Sequence, residues 1–118
     1  MAMMQLRAQP GLIVVQTTLD DPKVAKALAR SLVEARVAAC VQISSIESTY
    51  VWQGQTEVAV EQLLTIKTAS DRLNDLTATI SREHPYDEPE FIVLPVLSAS
   101  EGYTSWIEGS VSQTSSPK

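Results

Sequence analysis

The chain has 118 residues, a formal net charge of −5 at neutral pH and a single cysteine. This length predicts one domain whose core needs neither disulfides nor a structural metal. Because no cluster of Lys or Arg offsets the acidic charge, nucleic acid and anionic membrane surfaces are excluded as expected partners.

The first half of the chain predicts a strand, a helix and the first arm of a long hairpin. A β-branched run follows Gly11 and predicts a strand over about residues 11–17. Asp21-Pro22 supplies an N-cap and a first-turn proline, and apolar side chains then recur with helical spacing. A second extended segment runs from Cys40 to Trp52. Gln53-Gly54 predicts a tight turn, because Gly accepts a positive φ.

The second half predicts the return strand, a second helix and a final strand. The return strand covers about residues 56–68. Ser70 is the expected N-cap of a helix that Pro85 must end. Residues 91–96 predict the last strand, which Pro95 restricts to a sheet edge.

The two ends of the chain give weaker signals. Tyr103, Trp106 and Ile107 indicate a short C-terminal helix. We expect one domain over residues 11–111, a flexible N-terminus over 1–10 and a disordered tail over 112–118, because both ends lack apolar anchors. Residues 1–11 also lack the apolar core of a signal peptide, and no apolar run can span a bilayer, so we predict a cytoplasmic protein.

The order β-α-β-β-α-β predicts an α+β fold, the ferredoxin-like split βαβ sandwich, with its helices on one face of an antiparallel sheet. Strands one, three and four nevertheless read as nearly continuous apolar runs, which is typical of strands buried on both faces. We therefore expect the second face to be covered by self-association.

The segment His84-Pro85-Tyr86-Asp87-Glu88-Pro89-Glu90 carries the single histidine and three carboxylates. Neutral imidazole beside carboxylates is a ligand set for a divalent metal. The alternative interpretation is an exposed helix end that Pro85 stops, followed by a solvated acidic turn.

Six short segments, from about Val14 to Ile107, resemble the CutA divalent-cation-tolerance family in order and spacing. Members of that family are trimers of ferredoxin-like subunits whose sheets pack together and whose long hairpins cross between subunits. The resemblance therefore implies a homotrimer with a function in tolerance of copper and other divalent cations, and no required cofactor. The segments are Val37-Ala38-Ala39-Cys40-Val41, Tyr50-Val51-Trp52-Gln53-Gly54, Ile66-Lys67-Thr68, His84-Pro85-Tyr86, Leu94-Pro95-Val96 and Tyr103-Thr104-Ser105-Trp106.

The resemblance also implies a metal site. Carried over residue by residue, the family's proposed ligands fall on His84 and Glu90, and Asp87 is a third candidate. The family's cysteine near the end of strand one corresponds to Gln16, which is neither a thiolate nor a strong copper ligand. We interpret Cys40 as a small core residue and expect moderate affinity for Cu²⁺ or a similar cation.

Four further residues are candidates for a ligand cleft near the subunit boundary. Lys67 ends an apolar strand, where it faces either an anionic ligand or solvent at a sheet edge. Tyr50 and Trp52 share one face of a strand; with Tyr86 they are candidates to line the cleft, although packing at the oligomer interface is the commoner use of such aromatics. Three glutamates are interpreted as surface charges or interchain ion-pair partners: Glu47, Glu57 and Glu61.

These observations favour a trimer that responds to a cation or small ligand over two alternatives. A signalling trimer of the PII type carries a long loop between strands two and three, whereas Gln53-Gly54 closes this hairpin directly. Docking of a partner protein stays open as a function of the trimer. An enzyme of the acylphosphatase type needs an arginine-bearing phosphate loop after strand one, which this sequence lacks. We therefore predict a protein without catalytic activity.

Overall fold

The computed structural model describes the backbone of residues 6–8 and 11–113 and the side chains of residues 11–113. The predicted strands and helices occur in the predicted order, and two short strands that were not predicted are present in addition. Among the described residues, no helix combines the length and apolar character needed to cross a membrane. The elements are β1 (Leu6–Ala8), β2 (Leu12–Leu19), α1 (Pro22–Glu34), β3 (Cys40–Trp52), β4 (Gln55–Ala69), α2 (Leu73–Glu83), β5 (Ile92–Pro95), β6 (Ser98–Ser100) and α3 (Glu101–Ser110).

Four strands form an antiparallel sheet in the order β3-β4-β2-β5. Val15, near the middle of β2, lies opposite Ile66 of β4 and Val93 of β5, so the three side chains share a face. As Pro95 predicts, β5 lies at an edge, and within this sheet it pairs with β2 alone.

The main core lies between this face and the two longer helices. The predicted start of α1 is confirmed: the Asp21 carboxylate accepts the backbone N–H of Lys23 at 2.8 Å, and Pro22 is the first helical residue. Burial on this face accounts for the helical repeat in α1, because its apolar positions contact the sheet. The fully buried members of this core include Val15, Leu19, Leu32, Leu64, Ile66 and Leu76.

The predicted cap of the second helix is wrong. Ser70–Arg72 form a 3-10 turn without a side-chain cap, and α2 begins at Leu73. The Ser70 backbone N–H instead donates to the Gly11 carbonyl at 2.7 Å. Buried Arg72 fixes the turn, since it donates to the Arg36 carbonyl at 3.1 Å and pairs with Asp75 at 2.8 Å.

The N-terminal end of the chain differs from the expectation. Within the predicted flexible N-terminus, Leu6–Ala8 form β1, which pairs with β6 in a second, two-stranded sheet. Three-residue strands depend on this long-range pairing and leave little local signal. At the other end, Ser112 and Gln113 follow α3 without regular structure; residues 1–5, 9–10 and 114–118 of the predicted flexible segments lie outside the described residues.

Among the described residues, the second face of the sheet is covered at one end only. There α3 contributes Ile107, which packs with Leu12, Ala39 and the following Val111 in a smaller core. Along β5, Ile92 and Leu94 point to the same face and stay exposed. The predicted need for additional cover therefore applies to the part of the face beyond α3.

The β3–β4 hairpin extends well beyond the sheet. Residues 46–52 pair with residues 55–61, and neither stretch pairs with β2, so this part projects by ~24 Å at about 3.4 Å per residue. The predicted turn is confirmed, with positive φ at both Gln53 (51°) and Gly54 (78°). Three valines on the projecting part are more than half exposed: Val51, Val58 and Val60.

Candidate functional site

His84 lies directly after α2, at the entry to the acidic segment. Pro85 excludes helical backbone at the preceding residue, and His84 is accordingly extended, with φ −72° and ψ 136°. Its backbone N–H still donates to the Ile80 carbonyl at 2.8 Å, so the residue completes the last turn of α2. The side chain is only 8% exposed, in contrast to the exposed helix end of the alternative interpretation.

Both ring nitrogens of His84 contact the backbone. The Thr18 carbonyl lies 2.9 Å from Nε2, and the Tyr86 N–H donates to Nδ1 at 3.0 Å. A carbonyl can only accept and an amide N–H can only donate, so these partners select the neutral tautomer with hydrogen on Nε2. The Tyr86 ring also meets the imidazole edge to face, with centroids 5.0 Å apart. His84 therefore ties the acidic segment to the end of β2.

This geometry bears on the predicted metal ligands. A metal needs an unprotonated ring nitrogen, and the lone pair of Nδ1 accepts the Tyr86 N–H in this structure. Asp87 and Glu90 are exposed, and no group of three His, Cys, Asp or Glu side chains within the described residues is arranged to hold a metal ion. The metal site of His84, Asp87 and Glu90 thus stays a prediction that requires the imidazole to release a backbone partner.

A cleft of about 760 Å³ separates the acidic segment from the hairpin. Its aromatic residues are Tyr50 and Trp52 from β3 and Tyr86 from the segment after α2. Its walls also carry carboxylates and hydroxyl groups, and no lysine or arginine is found among the residues that the structure places along it. The remaining lining residues are Thr18, Ser48, Thr49, Glu61, Asp87, Glu88 and Glu90.

The electrostatics of the cleft are visible at Tyr86. Its partial burial, followed by the negative charges of Asp20 and Glu61, raises the pKa of the phenol above its ordinary value. Hydrogen bonds with Asp20 add contributions of both signs. The shift agrees with an excess of negative charge around the phenol.

The structure brings together five of the seven predicted site residues. Tyr50, Trp52, Tyr86, Asp87 and Glu90 all line the cleft. The other two predicted residues do not line it. Both ring nitrogens of His84 contact the backbone, and Lys67 lies elsewhere, on the second face of the sheet.

Lys67 lies on that second face, beneath α3. Its Nζ is 5.7 Å from the centre of the Tyr103 ring, beside an apolar pocket of about 170 Å³. Directly opposite in β3 is Cys40, a half-buried free thiol on the same face rather than a member of the main core. Gln16 also lies on this face, between Thr65 and Ile92.

Sequence reasoning missed Glu61 and Thr18 as cleft residues. For Glu61 a signal was present: a two-residue turn at 53–54 pairs Trp52 with Gln55, and counting back along both strands pairs Ile46 with Glu61. Strand alternation then places Glu61 on the same face as Tyr50 and Trp52. The position of Thr18 depends on contacts across the fold and gives no local signal.

The chain is similar in sequence to a family of known proteins. Residues 13–110 match the model of a family described as CutA1 divalent ion tolerance protein. The chain belongs to this family.

Three CutA relatives illustrate the match. The Arabidopsis thaliana protein named "Protein CutA, chloroplastic" is 41% identical over 99 residues, which are 83% of this chain and 54% of that protein, so the chain spans about half its length. The "Divalent-cation tolerance protein CutA" of Pectobacterium atrosepticum is 36% identical over 84% of this chain and 91% of its own.

The third relative has solved structures. CutA from Synechococcus elongatus PCC7942 is 36% identical and superposes with a TM-score of 0.89 over 92% of this chain and 96% of that one. A second structure of the same protein is complexed with a Bis-Tris molecule and superposes with a TM-score of 0.84 at 34% identity, over 90% of this chain and 99% of that one. The α+β architecture with its four-stranded antiparallel sheet therefore matches CutA structures.

Proposed function

We propose that this chain is a cation-binding protein of the divalent-ion tolerance type, which acts as a homotrimer of ferredoxin-like subunits and catalyses no reaction. The observation that carries the proposal is the cleft between the hairpin and the segment after α2. Four of its lining side chains are carboxylates, and no lysine or arginine among the described lining residues balances them. Such a site attracts positively charged ligands and repels anionic ones.

The ferredoxin-like assignment rests on topology. The four strands lie side by side in the order β3-β4-β2-β5. Along the chain, α1 follows β2 and α2 follows β4. A split βαβ arrangement requires this combination.

The trimer is supported by apolar side chains that are exposed on the described part of the chain. Ile92 and Leu94 are exposed on the second face of the sheet, while Val58 and Val60 are exposed on the projecting hairpin. Further copies of the chain would cover both regions. Exposed apolar surface favours association with another protein surface, and identical subunits usually associate into closed, symmetric oligomers.

A substitution on the hairpin tests the trimer. Val60 is 63% exposed, so Val60→Asp removes little packing within the subunit but places a charge in the proposed interface. We expect light scattering to give a trimer for the wild type and smaller species for Val60→Asp, with unchanged circular dichroism. Ala27→Asp, on the exposed side of α1, is the control and should stay trimeric. A monomeric wild type at micromolar concentration would exclude the trimer.

For the cation, we propose a divalent metal held by Asp87 and Glu90, with His84 as a third ligand only after it releases the Tyr86 N–H. Carboxylates with a single imidazole and no thiolate support moderate affinity. The Bis-Tris complex of the Synechococcus protein agrees with a cationic ligand, since Bis-Tris carries a protonatable amine. We also propose that the protein resides in the cytoplasm. Fractionation of cells that express it tests this location.

Calorimetric titration with Cu²⁺ and Zn²⁺ tests this proposal. We expect binding to weaken in a double variant, Asp87→Asn with Glu90→Gln, and to persist in Glu47→Gln, which removes an exposed carboxylate that does not line the cleft. His84→Ala shows whether the imidazole contributes. Equal affinity of the wild type and the double variant for both ions would remove the metal from the proposal.

A further inference from the structure

A shallow groove lies where α1 packs beside the edge strand β3. Its apolar floor consists of Ala29 and Val33 from the helix and Val41 and Ile43 from the strand. Val41 also packs against the main core, so the groove is on the helix face of the sheet. Val33 and Ile43 are 41% and 37% exposed. The groove has a volume of about 460 Å³ and leaves apolar surface open to a partner.

The helix side of the groove carries positive charge. Lys26 and Arg30 line the groove, and Lys23 lies on the same side of α1, because residues three and four apart share a side of a helix. Arg30 pairs with Glu34 at 3.2 Å, but both side chains are exposed, so this ion pair is weak. Lys26 has no ion pair within the described part of the chain. In a chain of net charge −5, this side of α1 therefore attracts acidic groups.

The strand side of the groove offers backbone hydrogen bonds. Among the residues that the structure describes, β3 pairs with β4 alone, so its other edge presents unpaired N–H and C=O groups. Residues 41–45 precede the projecting part of the hairpin, so they are separate from the exposed valines of the proposed trimer interface. An extended polypeptide can pair with such an edge as a further strand. Nucleic acids and lipid headgroups lack the peptide backbone that this pairing requires.

We propose that the groove docks an extended acidic segment of another protein, which adds as a strand to residues 41–45 of β3. Side chains of the added strand alternate between its two faces, so every second one lies beside α1. On that face, carboxylates meet Lys26 and Arg30, and an apolar side chain packs on Val33 and Ile43. The inference goes beyond the proposed cation-binding function and does not depend on it.

Three synthetic peptides test the proposal. The first, Gly-Glu-Thr-Glu-Thr-Ile-Thr-Gly, places two carboxylates and one isoleucine on the same face of a strand. The second replaces both glutamates with glutamine. The third keeps the sequence of the first but carries N-methyl groups on two successive central nitrogens, so that either edge of the peptide loses a donor.

Fluorescence anisotropy with the full-length wild-type protein at low salt compares the three peptides. We expect the first to bind about tenfold more tightly than either of the others, because the glutamine peptide lacks two ion pairs and the methylated one lacks a backbone hydrogen bond. Added salt should weaken the first peptide and leave the glutamine peptide nearly unchanged. Absence of binding by all three would overturn the proposal.

Matched variants assign the contacts. Lys26→Glu should weaken the first peptide about tenfold, because an attraction is replaced by a repulsion of similar size. Arg82→Glu makes the same change in net charge on an exposed position of α2, away from the groove, and should leave affinity unchanged. Ile43→Thr should weaken the glutamate and glutamine peptides by the same factor, since it alters the floor and no charge. Circular dichroism checks that each variant keeps its fold.

Hydrogen exchange gives a readout that charge attraction alone would not change. The backbone amides of residues 41–45 should exchange more slowly when the first peptide is bound and should be unaffected by the methylated peptide. Binding of the first peptide without protection of these amides would overturn strand addition. Equal affinity for the glutamate and glutamine peptides would overturn the acidic partner.

Other occupants of the groove give distinct results. A changed oligomeric state in Lys26→Glu but not in Arg82→Glu, measured by light scattering, would show that a second copy of the chain fills the groove, and would overturn the proposal. Tighter binding of heparin or single-stranded DNA than of the first peptide, lost in Lys26→Glu, would indicate a polyanion site and would also overturn it. None of these probes is a cation, so failure of this inference leaves the proposed cation-binding function in place.

Discussion

Replacement of His84 by alanine should destabilise the protein without any metal present. The substitution removes the partner of the Thr18 carbonyl and the partner of the Tyr86 N–H, both of which are partly or fully buried. A buried polar group left without a partner costs about 1–3 kcal/mol. The edge-to-face contact with the Tyr86 ring contributes about 0.5–1.5 kcal/mol more. Because water can enter the space left by the ring, we expect a loss of about 2–4 kcal/mol in the free energy of unfolding.

Two conservative variants show how much of this loss of stability comes from each ring nitrogen of His84. In His84→Asn the amide oxygen can replace Nδ1 as the acceptor for Tyr86, and in His84→Gln the amide nitrogen can replace Nε2 as the donor to Thr18. Each should recover roughly half of the loss. Urea unfolding at a fixed protein concentration measures the difference, because the stability of an oligomer depends on concentration.

Hydrogen exchange at the Tyr86 amide gives the more specific readout. Its protection should fall in His84→Ala and persist in His84→Asn. The reasoning would be refuted if metal-free His84→Ala matched the wild type in stability and kept the Tyr86 amide protected. If that variant also lost Cu²⁺ binding, His84 would be a metal ligand rather than a structural connection.

Three further predictions concern buried and half-buried groups. Thr17→Val should stabilise the protein by about 1 kcal/mol in urea unfolding, because the fully buried Thr17 hydroxyl has no partner within the described structure; a loss of stability would indicate a hidden partner. Because the pKa of Tyr86 is raised by folding, the unfolded chain loses that proton first, so stability should fall as the pH rises from the ordinary tyrosine pKa of about 10 toward the raised value. Melting temperatures above pH 9 should decline less in Tyr86→Phe, and parallel curves would contradict the assignment. Val111→Ala should cost about 2 kcal/mol in urea unfolding, since Val111 is buried against Leu12 and Ile107; a cost below about 0.5 kcal/mol would show that α3 contributes little to the smaller core.

Much of the fold could be predicted because its boundaries depend on neighbouring residues. Asp21-Pro22 starts α1, Gln53-Gly54 closes the hairpin and Pro85 ends α2 through local backbone geometry alone. The edge position of β5 follows in the same way, because Pro95 has no N–H to donate to a second neighbour.

The errors arose where distant contacts override local preference. Ser70 has the composition of an N-cap, but its backbone is tied to Gly11 and the adjoining turn is fixed by Arg72. Strand β1 depends entirely on its pairing with β6. Neither contact leaves a pattern in a short window of sequence.

The sequence by itself determined the order of the helices and of the four strands of the larger sheet, the long hairpin and the acidic character of the segment after α2, since these follow from periodicity, turn chemistry and charge. Only the tertiary structure decided what His84 does and what lies opposite the acidic segment. One ring nitrogen of His84 contacts Thr18, 66 residues away, and the other accepts from Tyr86, two residues away. The cleft likewise combines a strand register with the packing of a separate loop. Hydrogen-bond partners and cavities depend on distances across the folded chain, which residue types and spacing do not specify.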